Sequence, residues 1–175
     1  GFTLPGSCGL GGDMFAVLYD AKTDRIAAIN GSGVAGAKAS GERYTAGGAT
    51  KMPLDGWHAA AVPGAAHAYA ALNREFGSRP LSELLATAID YAESGVIVDD
   101  TVAGAISGSA KKLGKFKDSA DQYLPGGKPP GVGDRWPVPN LARSIRTLAE
   151  EGVDPFYQGA IAAEMVRASD AGDGP

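Results

Sequence analysis

The residues best placed to do chemistry sit in "INGSG", residues 29–33, where an apolar run stops on Asn30, Gly31, Ser32 and Gly33. Small residues let a backbone approach a ligand closely, and Asn and Ser side chains can hold a polar group. Asn-Gly is also a strong turn signal, and a turn and a pocket floor are compatible. Other candidates are sparse. "GSCGLGGD" carries four glycines within residues 6–12. A phosphate cradle needs its glycines to lead from a strand into a helix, so that helix N–H groups meet the anion. These glycines lead into an apolar strand, and neither G-x-x-x-x-G-K nor G-x-G-x-x-G is found among them. A tight turn into a buried strand is the expectation, with Cys8 as a packed small residue.

The two histidines, His58 and His67, lie nine residues apart across Pro63-Gly64 and lack metal-ligand spacing on one helix face. No G-x-S-x-G elbow accompanies them, so each is expected to be a half-buried or surface histidine. Asp99-Asp100 and Glu150-Glu151 fall beside expected helix ends, where carboxylates act as caps and surface charges. No catalytic residue, metal site or cofactor is therefore assigned within this chain. The substrate-binding candidates are Asn30, Gly31, Ser32 and Gly33.

These residues need elements to hold them. Residues 14–19 and 25–29 read as two strands of a hairpin around the polar turn 20–24, and the first scarcely alternates, which predicts burial on both faces. Residues 31–56 are small and polar and read as loop with at most one short helix. Residues 58–64 read as a brief extended segment ending at Pro63-Gly64. Helices follow. One covers 65–76 and stops at Gly77. In the next, Leu81, Leu84, Leu85, Ala88, Ile89 and Ala92 form an amphipathic stripe closed by Gly95. A third covers 101–113. The Pro/Gly-rich run 125–137 reads as loop, Leu141, Ile145 and Leu148 mark a fourth helix ending at Gly152, and a last one covers about 158–169. The class is α+β, a hairpin followed by about five helices. Residues 1–175 form a single partial domain, split into a glycine-rich lead-in with hairpin and loop (1–64) and a helical segment (65–175). A two-stranded hairpin is marginal alone, so its sheet partners are expected elsewhere.

Composition narrows the partners. The net charge of −4 is spread along the 175 residues without a basic stripe, which argues against nucleic acid. Lys111, Lys112, Lys115 and Lys117 are expected to form a solvated face. A single cysteine excludes an internal disulfide, and no apolar run approaches the roughly 20 residues of a membrane span. The chain opens on Gly-Phe-Thr-Leu-Pro, so the segment that would decide between a cytoplasmic and a periplasmic or secreted location is expected upstream.

Three longer stretches, in order, carry a resemblance. "GSCGLGGDMFAVLYDAKTDRIAAINGSG", "AAAVPGAAHAYAALNREFGSRPLSELLATAIDYAESGVIV" and "PNLARSIRTLAEEGVDPFYQGAIAAEMVRA" resemble the glycine-rich hairpin, the V-P-G helix and its successor, and the helical pair with the F-Y-x-G link of the large subunit of the γ-glutamyltranspeptidase family. The resemblance implies part of a four-layer αββα N-terminal nucleophile hydrolase, made as a precursor that cuts itself. A small subunit from the same precursor would carry a threonine acting as nucleophile and, through its α-amine, as base. It allows a homodimer of such heterodimers. One departure stands out. The family's D-x-R-E motif, whose arginine grips the α-carboxylate of a γ-glutamyl group, aligns Asn30 with the aspartate, Ser32 with the arginine and Gly33 with the glutamate. Arginine offers two charged parallel hydrogen bonds and serine one neutral bond. The expected activity is therefore amide hydrolysis on a small substrate other than glutathione, a short amide acid or acyl amide. The alternatives are a true γ-glutamyl hydrolase/transferase with its grip relocated to Arg25, Arg43 or a downstream cation, and a non-catalytic helical binding module.

Overall fold

A computed structural model describes residues 6–46, 48 and 50–175. In chain order the elements are β1 (Met14–Asp20), β2 (Arg25–Gly31), α1 (Gly41–Ala46), α2 (Ala65–Phe76), α3 (Leu81–Ser94), β3 (Val96–Ile97), α4 (Asp100–Leu113), α5 (Lys117–Tyr123), β4 (Arg135–Trp136), α6 (Pro139–Glu151), α7 (Asp154–Gln158) and α8 (Ala160–Ala171). Short 3-10 turns occupy Trp57–Ala59 and Pro125–Gly127. The chain is mixed helix and strand, as the α+β expectation requires. It forms two compact units, one of Leu81–Glu150 with the described residues through Cys8, the other of Gly9–Pro80 with Glu151–Pro175.

In the second unit, β1 and β2 pair antiparallel from Met14↔Gly31 to Asp20↔Arg25. The turn is tied by Asp20, which accepts from the Thr23 hydroxyl at 2.7 Å and the Lys22 amide at 3.0 Å. Those bonds, the Thr23 hydroxyl first, hold its carboxyl below the ordinary value. Asp24 adopts the left-handed conformation that Asp tolerates, and its carboxylate accepts from Tyr19. Within this chain β1 is covered on one face only, short of the burial on both faces expected of it in a layered fold. Its burial alternates, leaving Phe15, Val17 and Tyr19 at 66%, 78% and 61% exposure, with Ile26 beside them on β2. The other face packs on α2, whose Ala65, Ala66 and Ala68 are buried. An unbroken apolar run needs cover on two sides, and within this unit only one side is covered.

The first unit is built on its own core of Val98, Val102, Ile106, Trp136 and Val138. Gly95 ends α3 in the positive-φ conformation expected of a helix-terminating glycine. Asp99 caps α4 by accepting from the Val102 amide at 2.8 Å, the role foreseen for it. The run 125–137 is not all loop: Gly126 and Gly127 close a 3-10 turn, and Arg135–Trp136 pairs with Val96–Ile97. Packing selects this short ribbon, since Trp136 is 5% exposed, stacks at 5.6 Å on Tyr123 and donates to the Gln122 carbonyl. Burial pushes the Tyr123 hydroxyl's pKa up. The helix count also exceeds the expectation, with eight α-helices among the described residues. α5 is polar and short, and a further short helix, α7, stands ahead of the expected final one, α8, parted from it by Gly159, which packs against Pro155. Cys8 is exposed rather than packed. No helix is long and apolar enough to cross a membrane among the described residues.

Candidate functional site

At the end of β2 the main chain is held by side chains rather than by a sheet. Asn30 lies on the exposed hairpin face opposite Phe15, and its carboxamide oxygen accepts from the Ser32 amide at 3.0 Å, the bond an Asn-driven turn needs. The Gly33 amide donates to Asp13 at 2.8 Å, which fixes the segment from the strand before. Gly31 is buried, and a Cβ there would press on Ala68 and lie 2.7 Å from the Met14 carbonyl.

A second segment, residues 62–64, runs against the first. The Val62 amide donates to the Val34 carbonyl at 2.9 Å. A Cβ on Gly33 would overlap the Val62 carbonyl, and one on Gly64 would overlap Gly31 and sit 2.8 Å from the Ser32 carbonyl carbon. The two segments therefore touch main chain to main chain, which only residues without side chains permit.

The amino end of α2 follows at once. Helix amino ends leave amides without intrahelical partners. Here the Gly12 carbonyl accepts from Gly64 and Ala65 at 3.1 and 2.9 Å. The Tyr157 hydroxyl accepts from the His67 amide at 3.1 Å and donates to the Pro63 carbonyl at 2.7 Å. Tyr157 is seated by buried Phe156, with ring centres 5.0 Å apart, and meets His67 edge-on at 6.2 Å.

These pieces border an open pocket of about 350 Å³ whose polar lining comes from Ser32, His67, Asp154, Tyr157 and Gln158, with Gly33 on its wall. No lysine or arginine is among its lining residues. Of the four sequence candidates, Ser32 and Gly33 face the cavity, while Gly31 lies packed behind them and Asn30 braces the turn from the other face. Neither substitute cation is there. Arg43 is held by Asp173 at 2.7 Å and by the Asp173 and Gly174 carbonyls. Arg25 stands at the opposite end of β2, some six residues or about 20 Å along the strand from Gly31. His58 stands apart from His67, beside Tyr44 and 3.8 Å from Asp173. The described residues hold no cluster suited to a metal ion.

Residues 31–36 do spell G-x-G-x-x-G after a strand. The segment does not lead into a helix of its own, since α1 begins only at Gly41, so the strand–glycine loop–helix order of a dinucleotide motif is not formed. A wider cleft of about 790 Å³ lies in the other unit, among Pro129, Pro130, Pro137 and Trp136. Its polar groups serve the fold: Asp134 accepts from the Gly131 amide, Arg135 donates to the Ser94 and Gly95 carbonyls, and Asp121 pairs with Lys117. Asp13, His67 and Tyr157 are the participants that residue-by-residue reading misses. The signal for His67 and Tyr157 lies in the longer stretches that contain V-P-G and F-Y-x-G, and that for Asp13 in the glycine-rich stretch before the hairpin.

Known proteins place this arrangement. The family model described as gamma-glutamyltranspeptidase matches residues 1–175. A glutathione hydrolase-like YwrD proenzyme of Bacillus subtilis is 32% identical over 163 residues, covering 93% of this chain and 31% of that protein. An oxamate amidohydrolase proenzyme of Klebsiella pneumoniae is 34% identical over 165 residues, covering 91% and 31%. Among solved structures, gamma-glutamyltranspeptidase of Helicobacter pylori superposes with a TM-score of 0.92 at 25% identity, over 99% of this chain and 50% of that one. Cephalosporin acylase of Bacillus halodurans superposes at 0.91 and 31% identity, over 99% and 33%. The chain thus spans about a third of the length of these curated relatives. With a family model matched from end to end, and a hairpin, V-P-G wall and F-Y-x-G turn that superpose on solved members, the chain belongs to the gamma-glutamyltranspeptidase family.

Proposed function

We propose that this chain is the large-subunit part of a self-processing amidohydrolase whose nucleophile, an N-terminal threonine, lies in a segment outside it. The cavity at Ser32 and Gly33 receives the acyl part of a small amide substrate other than glutathione, a short amide acid or an acyl amide. One observation carries this reading: Ser32 stands on the wall of a cavity that no arginine or lysine lines. A γ-glutamyl α-carboxylate entering there would meet the neutral Ser32 hydroxyl in the arginine's place, with no lysine or arginine beside it. The loss of a charge-assisted bond costs about 1.5–3 kcal/mol, or roughly ten- to a hundredfold in binding. Relatives named as an oxamate amidohydrolase and as acylases support such a shift of substrate within the family. The fold we assign to the whole is the four-layer αββα sandwich, with this chain as one partial domain. The apolar face of Phe15, Val17, Tyr19 and Ile26 would then lie against the second sheet.

The test is made on the full-length parent. Its mass should show cleavage at a threonine. The processed protein should hydrolyse oxamate or a simple acyl amide with a kcat/KM at least tenfold above that for γ-glutamyl anilide. Efficient transfer from a γ-glutamyl donor to a dipeptide would establish the opposite substrate preference, and an uncut, inactive parent would end the enzyme reading.

A further inference from the structure

Tyr157 has a place in this site that neither the family's D-x-R-E grip nor its threonine accounts for. Its hydroxyl is bonded to both ends of the junction between the 62–64 wall and α2, accepting from the His67 amide and donating to the Pro63 carbonyl. A phenol can do both at once, which a carboxylate or an ammonium cannot. Its platform is stiff: α7 carries Pro155 in its first turn, buries Phe156 and is capped by Gly159, where a Cβ would lie 2.8 Å from Pro155 Cα. The wall it holds is in backbone contact with Gly31, Ser32 and Gly33, so a shift at Pro63 passes directly to the cavity floor.

We propose that Tyr157 is a positioning residue that determines specificity, its hydroxyl holding the Val62–Gly64 wall against Ser32 and Gly33 and so setting the width of the acyl pocket. The inference rests on the pocket reading above. Loss of the hydroxyl frees the wall to move outward, which costs a short acyl group its fit and costs a long one little. Discrimination by fit in such pockets is modest, roughly 10- to 200-fold per methylene-sized change at most.

The experiment compares the processed parent with its Tyr157→Phe variant on oxamate, whose amide and carboxylate carbons are joined directly, and on glutaramate, an amide acid in which a chain of methylenes separates them. The variant should lower the oxamate-to-glutaramate ratio of kcat/KM by roughly fivefold or more, through the KM for oxamate, with kcat within about twofold. Amide hydrogen exchange at His67 should quicken by about tenfold while the later turns of α2 keep their protection. A purely structural role would lower kcat/KM for both amides alike, and that outcome, like an unchanged ratio, overturns the assignment. A parent active on both amides with an unmoved ratio removes the role of Tyr157 alone. A parent that hydrolyses neither removes the pocket reading and this role with it.

Discussion

Ser32 is a small side chain at the point where the family resemblance expects a cation, and its surroundings decide what replacement would do. The neighbouring residues are committed: Asn30 to the turn, Gly33 to Asp13 and to contact with Val62, Gly31 to the Met14 pairing. Ser32→Arg in the parent should therefore add a carboxylate grip without rebuilding the loop. The KM for a γ-glutamyl donor should fall by roughly tenfold or more, and oxamate turnover should drop as the side chain fills the cavity. An unchanged γ-glutamyl KM would favour a grip already supplied from elsewhere. At this scale the sequence was legible in part. Ser32 and Gly33 could be named because small residues break an apolar run. Asp13 and Tyr157 could not, because each acts through a partner 20 or 94 residues away, and neither residue type signals such a bond by itself.

Elements with local causes were legible and those with distant causes were not. Helix α2 follows its composition to the residue, and Gly95 and Gly152 stop α3 and α6 in the left-handed conformation that favours glycine. Asp99 belongs to the same local class. Its Ala variant should lower stability by about 1 kcal/mol, read as a shift of the urea midpoint, whereas Asn, which can still accept from Val102, should recover most of it. The ribbon of β3 and β4 has no local signature, since two residues per strand carry no period. It exists because Trp136 is buried against Tyr123 and Val98. The split between α7 and α8 likewise turns on Gly159 fitting under Pro155. The apolar run of β1 exceeds its cover in this chain for a related reason, since a sequence records how apolar a strand is but not which layer comes to cover it.

For the whole molecule, the hairpin face is the main open question that the proposed sandwich answers. Four large apolar side chains standing together in water are costly and prone to association. Within the parent, Val17→Lys should reduce soluble yield and self-cleavage and lower the melting midpoint by several degrees, because a charge would enter the space between two sheets. A surface that stays wet would accept lysine within about 0.5 kcal/mol, and that result would exclude the four-layer assignment.

The backbone contact between residues 31–33 and 62–64 has a consequence for how such a protein can change. Any side chain added at Gly31, Gly33 or Gly64 collides with main chain, and Asn30 is occupied beneath the turn. With the 62–64 segment where it stands, Ser32 is the floor position that can change side chain while the scaffold stays intact. A side chain at Gly33, where the resemblance aligns a glutamate, requires the 62–64 segment to stand farther off, so changes at Gly33 and in residues 62–64 should occur together.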